Sequence, residues 1–243
     1  MIFKILGSSS GIAERGKNLS SVYFNVFDKN LIIDAGEGLA HKIQIENIDV
    51  DTIDAVLISH FHPDHVSGLF MMIQTLYIQK RTKKLQIFIP ERIYDFSRIM
   101  GMFYTFKERL SFDIEYLLIS ELEKHYPFVI YCENDHLLPY GEFIEKYQYQ
   151  NTMKSYSFKV TENQKSVIYT ADINSSQSIN QLLSEVDYCI VDAIHPSIEE
   201  IKRIERFVMQ KVLLTHGSNE NTDKLVKENP KFVYAQENKI YSF

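Results

Sequence analysis

The chain has 243 residues, 45% of them hydrophobic and 24% charged, with a formal net charge of −6. The length suits one large domain with a sizeable core, and the acidic balance disfavours a nucleic-acid footprint, which needs clustered Lys and Arg. Its apolar runs are too short for a signal peptide or a membrane span, so we expect a cytoplasmic protein that does not associate with membranes.

The first half of the chain alternates short strands with helices. A helix is predicted at 37–47, and the buried strand 54–59 leads into a histidine-rich segment, after which 66–80 is apolar enough for a packed helix. The basic run QKRTKK (79–84) is interpreted as the solvated end of that helix. The opening strands are rich in β-branched and aromatic residues and lie at 2–6, 21–27 and 30–36.

The middle of the chain, 112–170, is predicted to be mostly strands. Strands and helices then alternate again, with helices near 176–184, 197–210 and 219–227. No repeat or Pro/Gly-rich linker interrupts the sequence, so residues 1–243 are expected to form one domain. Two βα-type halves predict an α/β fold, a four-layer αββα sandwich with the sheets packed together and the helices outside.

The segment SHFHPDHVSGL (59–69) concentrates three of the eight histidines of the chain. His60 and His62 are two apart in extended chain, so both imidazoles can point toward one ion. Pro63 permits a helix to begin, which turns Asp64 and His65 toward a second ion. Two ions about 3.5–4 Å apart form a clamp for hydrolysing a phosphoryl or acyl centre. The alternative is a polar loop with incidental histidines.

Two later residues repeat this position at the end of an apolar strand. Asp172 follows the strand VIYT, and its two oxygens could bridge two cations. His216 follows KVLLT. Each could also be a turn aspartate or a core histidine, but their common placement favours metal ligands.

The motifs together resemble the metallo-β-lactamase superfamily, in the family's order and over nearly the whole chain. They are ILGSSSG, LIIDAGEG, SHFHPDHVSGL, YTADI and LLTHGS. The sequence is most similar to the branch of RNase Z and small phosphodiesterases, including the cyclic phosphodiesterase of the carbon–phosphorus lyase pathway and phage enzymes that destroy cyclic mononucleotide signals. The resemblance implies one or two zinc ions held by His60, His62, Asp64, His65, Asp172 and His216.

One position departs from the family pattern. The family supplies a further histidine from the middle strands, and the matching segment NTMKSYSF places Asn151 there. An amide oxygen is a poor zinc ligand but suits harder ions such as manganese. We therefore expect one firm and one weak metal site. His136 could replace the missing ligand, although we favour an ordinary loop histidine.

The resemblance also implies catalytic roles for two residues. Asp64 would orient the attacking water or accept its proton, and His195 would protonate the leaving oxygen, a step that suits an acid with a pKa near 7. The alternative for His195 is a loop residue before the helix that Ser197 caps.

Four functions compete on these observations. A phosphodiesterase acting on a small or cyclic phosphodiester is favoured. An RNase Z-like nuclease would need an extended tRNA-binding arm, which the sequence lacks. A lactone or thioester hydrolase does not need a second histidine acid, and a binding protein with a degraded site is supported only by Asn151. The aromatic segment 91–150 could stack on a nucleobase or form a homodimer face, although core positions are favoured.

Overall fold

The computed structural model describes residues 1–237 and 239–243. The described chain divides into two compact units, each with its own sheet. The first contains 1–122 together with 236–243, and the second contains 123–235. The mixture of strands and helices agrees with the predicted α/β class.

The first unit is built on a seven-stranded sheet of order β13-β1-β2-β3-β4-β5-β6. Strands β3 to β6 run parallel, whereas β13, β1, β2 and β3 pair antiparallel. The parallel strands carry near-continuous apolar residues, as expected when both faces of a sheet are covered. The strands are β1 (Ile2–Gly7), β2 (Ser21–Val26), β3 (Lys29–Ile33), β4 (Ile53–Leu57), β5 (Leu85–Ile89), β6 (Ile114–Leu118) and β13 (Ile240–Ser242).

The helices of the first unit bury their apolar sides in one cluster with the sheet. Leu69, Met72, Ile73 and Leu76 are among its fully buried members. The helix predicted at 66–80 is observed at 68–78, and Ser67 separates it from a short helix that begins at Pro63. The helices are α1 (Leu39–Ile45), α2 (Pro63–Val66), α3 (Gly68–Ile78) and α4 (Ile93–Met102), and α5 (Leu122–His125) lies where the two units divide.

The second unit contains a six-stranded sheet of order β12-β11-β10-β9-β8-β7. Strands β9 to β12 are parallel, and β7-β8 and β8-β9 are antiparallel pairs. The strands are β7 (Val129–Glu133), β8 (Tyr156–Glu162), β9 (Lys165–Tyr169), β10 (Val186–Asp192), β11 (Val208–Thr215) and β12 (Phe232–Tyr234). The helices are α6 (Gly141–Tyr147), α7 (Ile198–Glu205) and α8 (Glu220–Glu228).

Two of the predicted helices are wrong in part or in whole. The segment 176–184 forms turns, because Ser176 donates its backbone N–H and its hydroxyl to Glu200 Oε2 instead of continuing a helix. The helix predicted over 197–210 ends at Glu205, because the following residues enter β11, where Val208 pairs with Val186 of β10.

The basic run 79–84 does not simply form a solvated helix end. Arg81 is completely buried, and its guanidinium donates to the backbone carbonyls of Val50, Ile53 and Lys84. It also lies 5.5 Å from the ring centroid of Phe112. Burial lowers the pKa of Arg81, and neighbouring aspartates oppose that shift. Arg81 therefore anchors the loops around β4 and β5.

The aromatic segment 91–150 is only partly in the core, contrary to the preferred interpretation. Phe96 and Phe112 are buried, whereas many other rings are exposed. The exposed rings are Tyr94, Phe103, Tyr104, Phe106, Tyr140, Phe143, Tyr147 and Tyr149. The pairing of two copies through such rings stays a prediction. Among the described residues, every helix is too short or too polar to traverse a bilayer.

Candidate metal centre

The histidine-rich segment lies at the carboxyl end of β4, in the first unit. His60 and His65 are completely buried, and the ring of His60 lies 4.2 Å from that of His65 and 4.7 Å from that of His62. His62 immediately precedes α2, and Pro63 begins that helix, as the sequence predicted. Asp64 Oδ2 is 3.8 Å from His65 Nε2. Three imidazoles and a carboxylate thus lie within the six residues 60–65.

Asp34 fixes the orientation of two of these histidines. His65 Nδ1 donates to Asp34 Oδ2 at 2.7 Å, and the hydroxyl of Ser59 donates to the same oxygen at 2.9 Å. Because the hydroxyl proton of Ser59 is used in that bond, its oxygen accepts from His60 Nδ1 at 3.0 Å. Both rings then carry their lone pair on Nε2, which is the tautomer of a metal-binding imidazole whose other nitrogen donates to an acceptor.

Two glycines let the loop after β3 pass directly against α2, which carries His65, and against the start of α3. A Cβ on Gly68 would lie 2.0 Å from the carbonyl oxygen of Gly36, and a Cβ on Gly36 would lie 2.4 Å from that of Asp64. Ala35 closes the contact, since its N–H donates to His65 O and its carbonyl accepts from Gly68. The glycines of DAGEG and VSGL therefore place Asp34 within reach of the histidines.

The second unit holds a cluster around Asp172. Asp172 Oδ2 lies 3.4 Å from His216 Nε2, 3.6 Å from His136 Nε2 and 3.7 Å from His195 Nδ1. Ligand-type atoms of Asp172, Asp192, His195 and His216 all lie within 4.8 Å of one another. Asp172 and His216 follow β9 and β11, as the sequence predicted.

Asp192, the last residue of β10, is fully buried and holds His195. His195 Nδ1 donates to Asp192 Oδ2 at 2.8 Å, and the backbone N–H groups of Ile194 and His195 donate to the other oxygen. Burial alone would raise the pKa of Asp192, but hydrogen bonds with His195 and His216 hold that pKa well below its usual range. The hydrogen bond that His195 donates to Asp192 in turn raises the pKa of His195 above its ordinary value.

His136 is not the ordinary loop histidine that we favoured from the sequence. Its side chain is buried, and its ring lies 4.7 Å from that of His195. The loop folds inward because Asn134 Oδ1 accepts from the His136 N–H and Asn174 Nδ2 donates to the His136 carbonyl. Asn151, at the position of the family's histidine, is exposed.

Three residues that follow strand ends have left-handed backbone conformations, with φ of 62° at Asp34, 50° at Ala171 and 65° at His216. Such non-glycine conformations are strained and persist where the surrounding structure imposes them. In each unit the strain occurs at the position that turns a carboxylate or an imidazole out of the sheet.

Sequence reasoning used Asp34 only as part of a family motif, and it assigned no role to Asp34 or to Asp192. A signal was nevertheless present. Each is the Asp of an Asp-Ala pair that ends an apolar strand, in LIIDA and CIVDA. Each is buried and accepts a hydrogen bond from a histidine in its own unit.

The residues of both clusters fit a metal ion. Imidazole nitrogens and carboxylate oxygens are the donors that zinc accepts in catalytic sites. In the first unit the chain also provides the outer hydrogen bonds that such histidines need, from Asp34 directly and through Ser59.

Comparison with known proteins identifies relatives of the chain. The family model described as "Anti-Pycsar protein Apyc1" matches residues 1–241. A ribonuclease Z from Pediococcus pentosaceus is 27% identical over 165 residues, which is 67% of this chain and 49% of that protein. The chain matches half or less of the length of this and two other ribonuclease Z relatives.

The fold is that of the metallo-β-lactamases. The metallo-β-lactamase fold protein YhfI from Bacillus subtilis superposes with a TM-score of 0.75 and 18% identity, over 99% of this chain and 98% of that one. The short form of human tRNase Z gives a TM-score of 0.73 and 18% identity, over 100% and 99% of the two chains.

Proposed function

The chain belongs to the Anti-Pycsar protein Apyc1 family, and from this membership we propose that it is a metal-dependent phosphodiesterase acting on a small or cyclic phosphodiester. The observation that carries the proposal is the buried Asp192 holding His195 beside Asp172. A histidine fixed in this way suits a reaction with a poor leaving group, which hydrolysis of an alkyl phosphodiester requires.

The proposed metal ligands are those that the sequence indicates, with one addition. His136 is added in place of Asn151, because its Nε2 lies near Asp172 and it is buried. Bound ions would polarise the phosphoryl oxygens and lower the pKa of a water molecule. Zinc is the proposed metal, since imidazoles dominate the set. The full set is His60, His62, Asp64, His65, His136, Asp172 and His216.

Asp64 and His195 would carry out the remaining steps, which are positioning the water and transferring protons. Asp64 orients the attacking water or accepts its proton, and its carboxylate is close enough to His65 for both to act at one place. His195 donates a proton to the leaving oxygen. Because Asp192 raises the pKa of His195, a larger fraction of this histidine carries the proton near neutral pH than an ordinary histidine would.

An RNA-processing nuclease is the second candidate, because the curated relatives that the chain matches are ribonuclease Z proteins. The net charge of −6 weighs against it, since a polyanionic substrate favours a basic surface.

The proposal is tested by elemental analysis of the purified protein together with hydrolysis of bis(p-nitrophenyl) phosphate and of an alkyl phosphodiester, with zinc or manganese added. We expect bound metal and turnover of both substrates. Replacement His195→Ala should lower turnover of the alkyl substrate by about 10²–10⁴-fold, the usual contribution of a general acid. Turnover of the nitrophenyl substrate should fall much less, because p-nitrophenolate leaves without a proton.

His41→Ala is the matched control, since His41 is an exposed histidine on α1 that belongs to neither cluster. Equal losses on the two substrates would remove His195 as the acid. Protein that binds metal but hydrolyses neither phosphodiester would contradict the proposed function and favour a lactone or thioester hydrolase.

A further inference from the structure

His136 lies outside the sheet of the second unit, so the sheet itself does not fix its position. Strand β7 ends at Glu133, and the pairing continues only as far as the hydrogen bond from the Asn134 N–H to the Ser155 carbonyl, at 2.8 Å. Residues 135–154 lie between the two members of this pair. Asp172 follows the end of β9, and β8 separates β7 from β9. Within the described sheet, therefore, no β-ladder joins the segment of His136 to that of Asp172.

Five hydrogen bonds join residues 135–136 to residues 174–175 instead. Asp135 Oδ1 accepts from the backbone N–H groups of Asn174 at 2.8 Å and Ser175 at 3.3 Å, and its Oδ2 accepts from the Ser175 hydroxyl at 2.7 Å. In the other direction, Asn174 Nδ2 donates to the backbone carbonyls of Asp135 at 2.6 Å and His136 at 3.3 Å. We call Asp135, His136, Asn174 and Ser175 the loop clamp.

Each side of the loop clamp is close in sequence to a proposed metal ligand. His136 follows Asp135 directly, and Asp172 lies two residues before Asn174. His136 Nε2 and Asp172 Oδ2 are 3.6 Å apart, and both side chains are buried. Zinc binds nitrogen and oxygen donors at about 2.0–2.2 Å, so two ligands of one ion must lie within a few ångströms of each other. The separation that the loop clamp maintains is short enough for this.

We propose that Asp135 and Asn174 are positioning residues that act through His136, and that the loop clamp holds the imidazole beside Asp172 before any ion binds. Asp135 is half-buried and Asn174 is exposed, so neither residue fills a core position. An ion that meets both donors in place does not have to order the loop, which lowers the free-energy cost of binding. The consequence for metal binding rests on the proposed function, whereas the position of His136 in the metal-free protein does not.

The two positioning residues have opposite chemical requirements, and these define the variants. Position 135 must accept hydrogen bonds, so Asp135→Asn should preserve the loop clamp. Its amide oxygen can accept from the two backbone N–H groups, and its NH₂ group can donate to the hydroxyl oxygen of Ser175. Position 174 must donate to two carbonyls. An ionised carboxylate has no proton to donate, so Asn174→Asp should break the loop clamp.

Two further variants complete the set. Asp135→Ala removes three of the five hydrogen bonds and should also break the loop clamp. Gln177→Ala is the control, because Gln177 is exposed in the turns that follow Ser175 and is not part of the loop clamp.

The first measurement is made on the metal-free full-length protein. Acylation of each histidine by diethyl pyrocarbonate is followed by mass spectrometry. His136 should react slowly in the wild-type protein, Asp135→Asn and Gln177→Ala, because its residue is 5% exposed. In Asp135→Ala and Asn174→Asp the rate at His136 should rise by about tenfold or more, because the loop opens when these hydrogen bonds are lost. The rate at the exposed His41 should be the same in every variant.

The second measurement is zinc affinity, obtained by competition with a chromophoric chelator. The affinity should fall about 10–100-fold in Asp135→Ala and Asn174→Asp, the usual loss when the support of a ligand is removed. It should not change in Asp135→Asn or Gln177→Ala. Denaturant unfolding of each metal-free variant verifies that it folds. A residue with a general structural role would not give opposite results for the same exchange of carboxylate and amide at positions 135 and 174.

Three results would overturn the inference. The first is slow reaction of His136 in both Asp135→Ala and Asn174→Asp. The second is an equal loss of zinc affinity in Asp135→Asn and Asp135→Ala. The third is exposure of His136 without any loss of zinc affinity, because His136 would then not be a ligand.

The metal-free measurement separates this inference from the proposed function. If zinc binds as expected in all variants but no phosphodiester is hydrolysed, the proposed reaction fails and the positioning role stands. If the wild-type protein binds no zinc but His136 becomes reactive only in Asp135→Ala and Asn174→Asp, the proposed function fails, whereas the loop clamp still holds His136.

Discussion

Replacement of Asp34 by Asn should weaken metal binding without removing any proposed metal ligand. The carboxylate accepts from the Ser59 N–H at 2.7 Å, from the Ser59 hydroxyl at 2.9 Å and from His65 Nδ1 at 2.7 Å, all in a buried site. The side-chain amide of the introduced Asn has only one acceptor oxygen. Its NH₂ group would therefore replace the oxygen that now accepts from both the Ser59 hydroxyl and the His65 imidazole.

The consequence follows from the tautomer of His65. To avoid opposing two N–H groups, the ring must move its proton from Nδ1 to Nε2, the nitrogen whose lone pair would bind metal. Loss of such an outer hydrogen bond typically costs about 10–100-fold in metal affinity. This is equivalent to about 1.4–2.7 kcal/mol of binding free energy.

The measurement is an equilibrium competition for zinc between the metal-free protein and a chromophoric chelator. Asp54→Asn is the matched control, because Asp54 is also a carboxylate of the first unit that accepts a backbone N–H, from Asn30 at 2.9 Å. Nitrogen chemical shifts of the His65 imidazole report the tautomer independently. Zinc affinity within about twofold of wild type in Asp34→Asn, with Nδ1 of His65 still protonated, would refute this reasoning.

Two further predictions concern stability. Glu237→Ala should lower the free energy of unfolding by about 3–5 kcal/mol, because it removes the nearer of the two carboxylates that pair with the buried ammonium of Lys42, at 3.2 Å, and keeps only Glu46 at 3.9 Å. Denaturant unfolding measures this, and a loss no larger than that of the exposed control Glu14→Ala would contradict it. Gly68→Ala should lower the free energy of unfolding by about 1–3 kcal/mol, because the added Cβ would lie 2.0 Å from a backbone carbonyl oxygen of the loop after β3. In Gly101→Ala, where a Cβ meets nothing within 4 Å, the same measurement should show no loss, and equal losses in the two variants would exclude a steric cause.

Most strands could be predicted because apolar and β-branched residues recur in runs bounded by turn residues. The histidine-rich segment was placed correctly after β4 for the same reason. Errors occurred where polar side chains decide the local structure. The segment 176–184 has helical composition, but Ser176 donates to Glu200, and Ser175 immediately before the segment donates to Asp135, both of which are remote in sequence.

His136 shows the same limitation within the proposed site. Asn134, two residues earlier, accepts from its backbone N–H, but that local hydrogen bond alone does not distinguish an inward from an outward loop. Its position depends on Asn174, which donates to the carbonyls of Asp135 and His136 from a later part of the chain. Arg81 was likewise misassigned, because a basic run gives no indication that three backbone carbonyls surround one of its members.

The return of residues 236–243 to the first unit affects how the protein folds as it is synthesised. Strand β13 covers the free edge of β1, and Glu237 accepts from the backbone N–H groups of Ser8 and Asn18. The ribosome makes these residues only after the whole second unit. Until then the edge of β1 is an unprotected strand that can pair with other chains. The first unit begins to leave the ribosome before the second. The second unit is nevertheless continuous in sequence, so it can complete its fold before the first unit does.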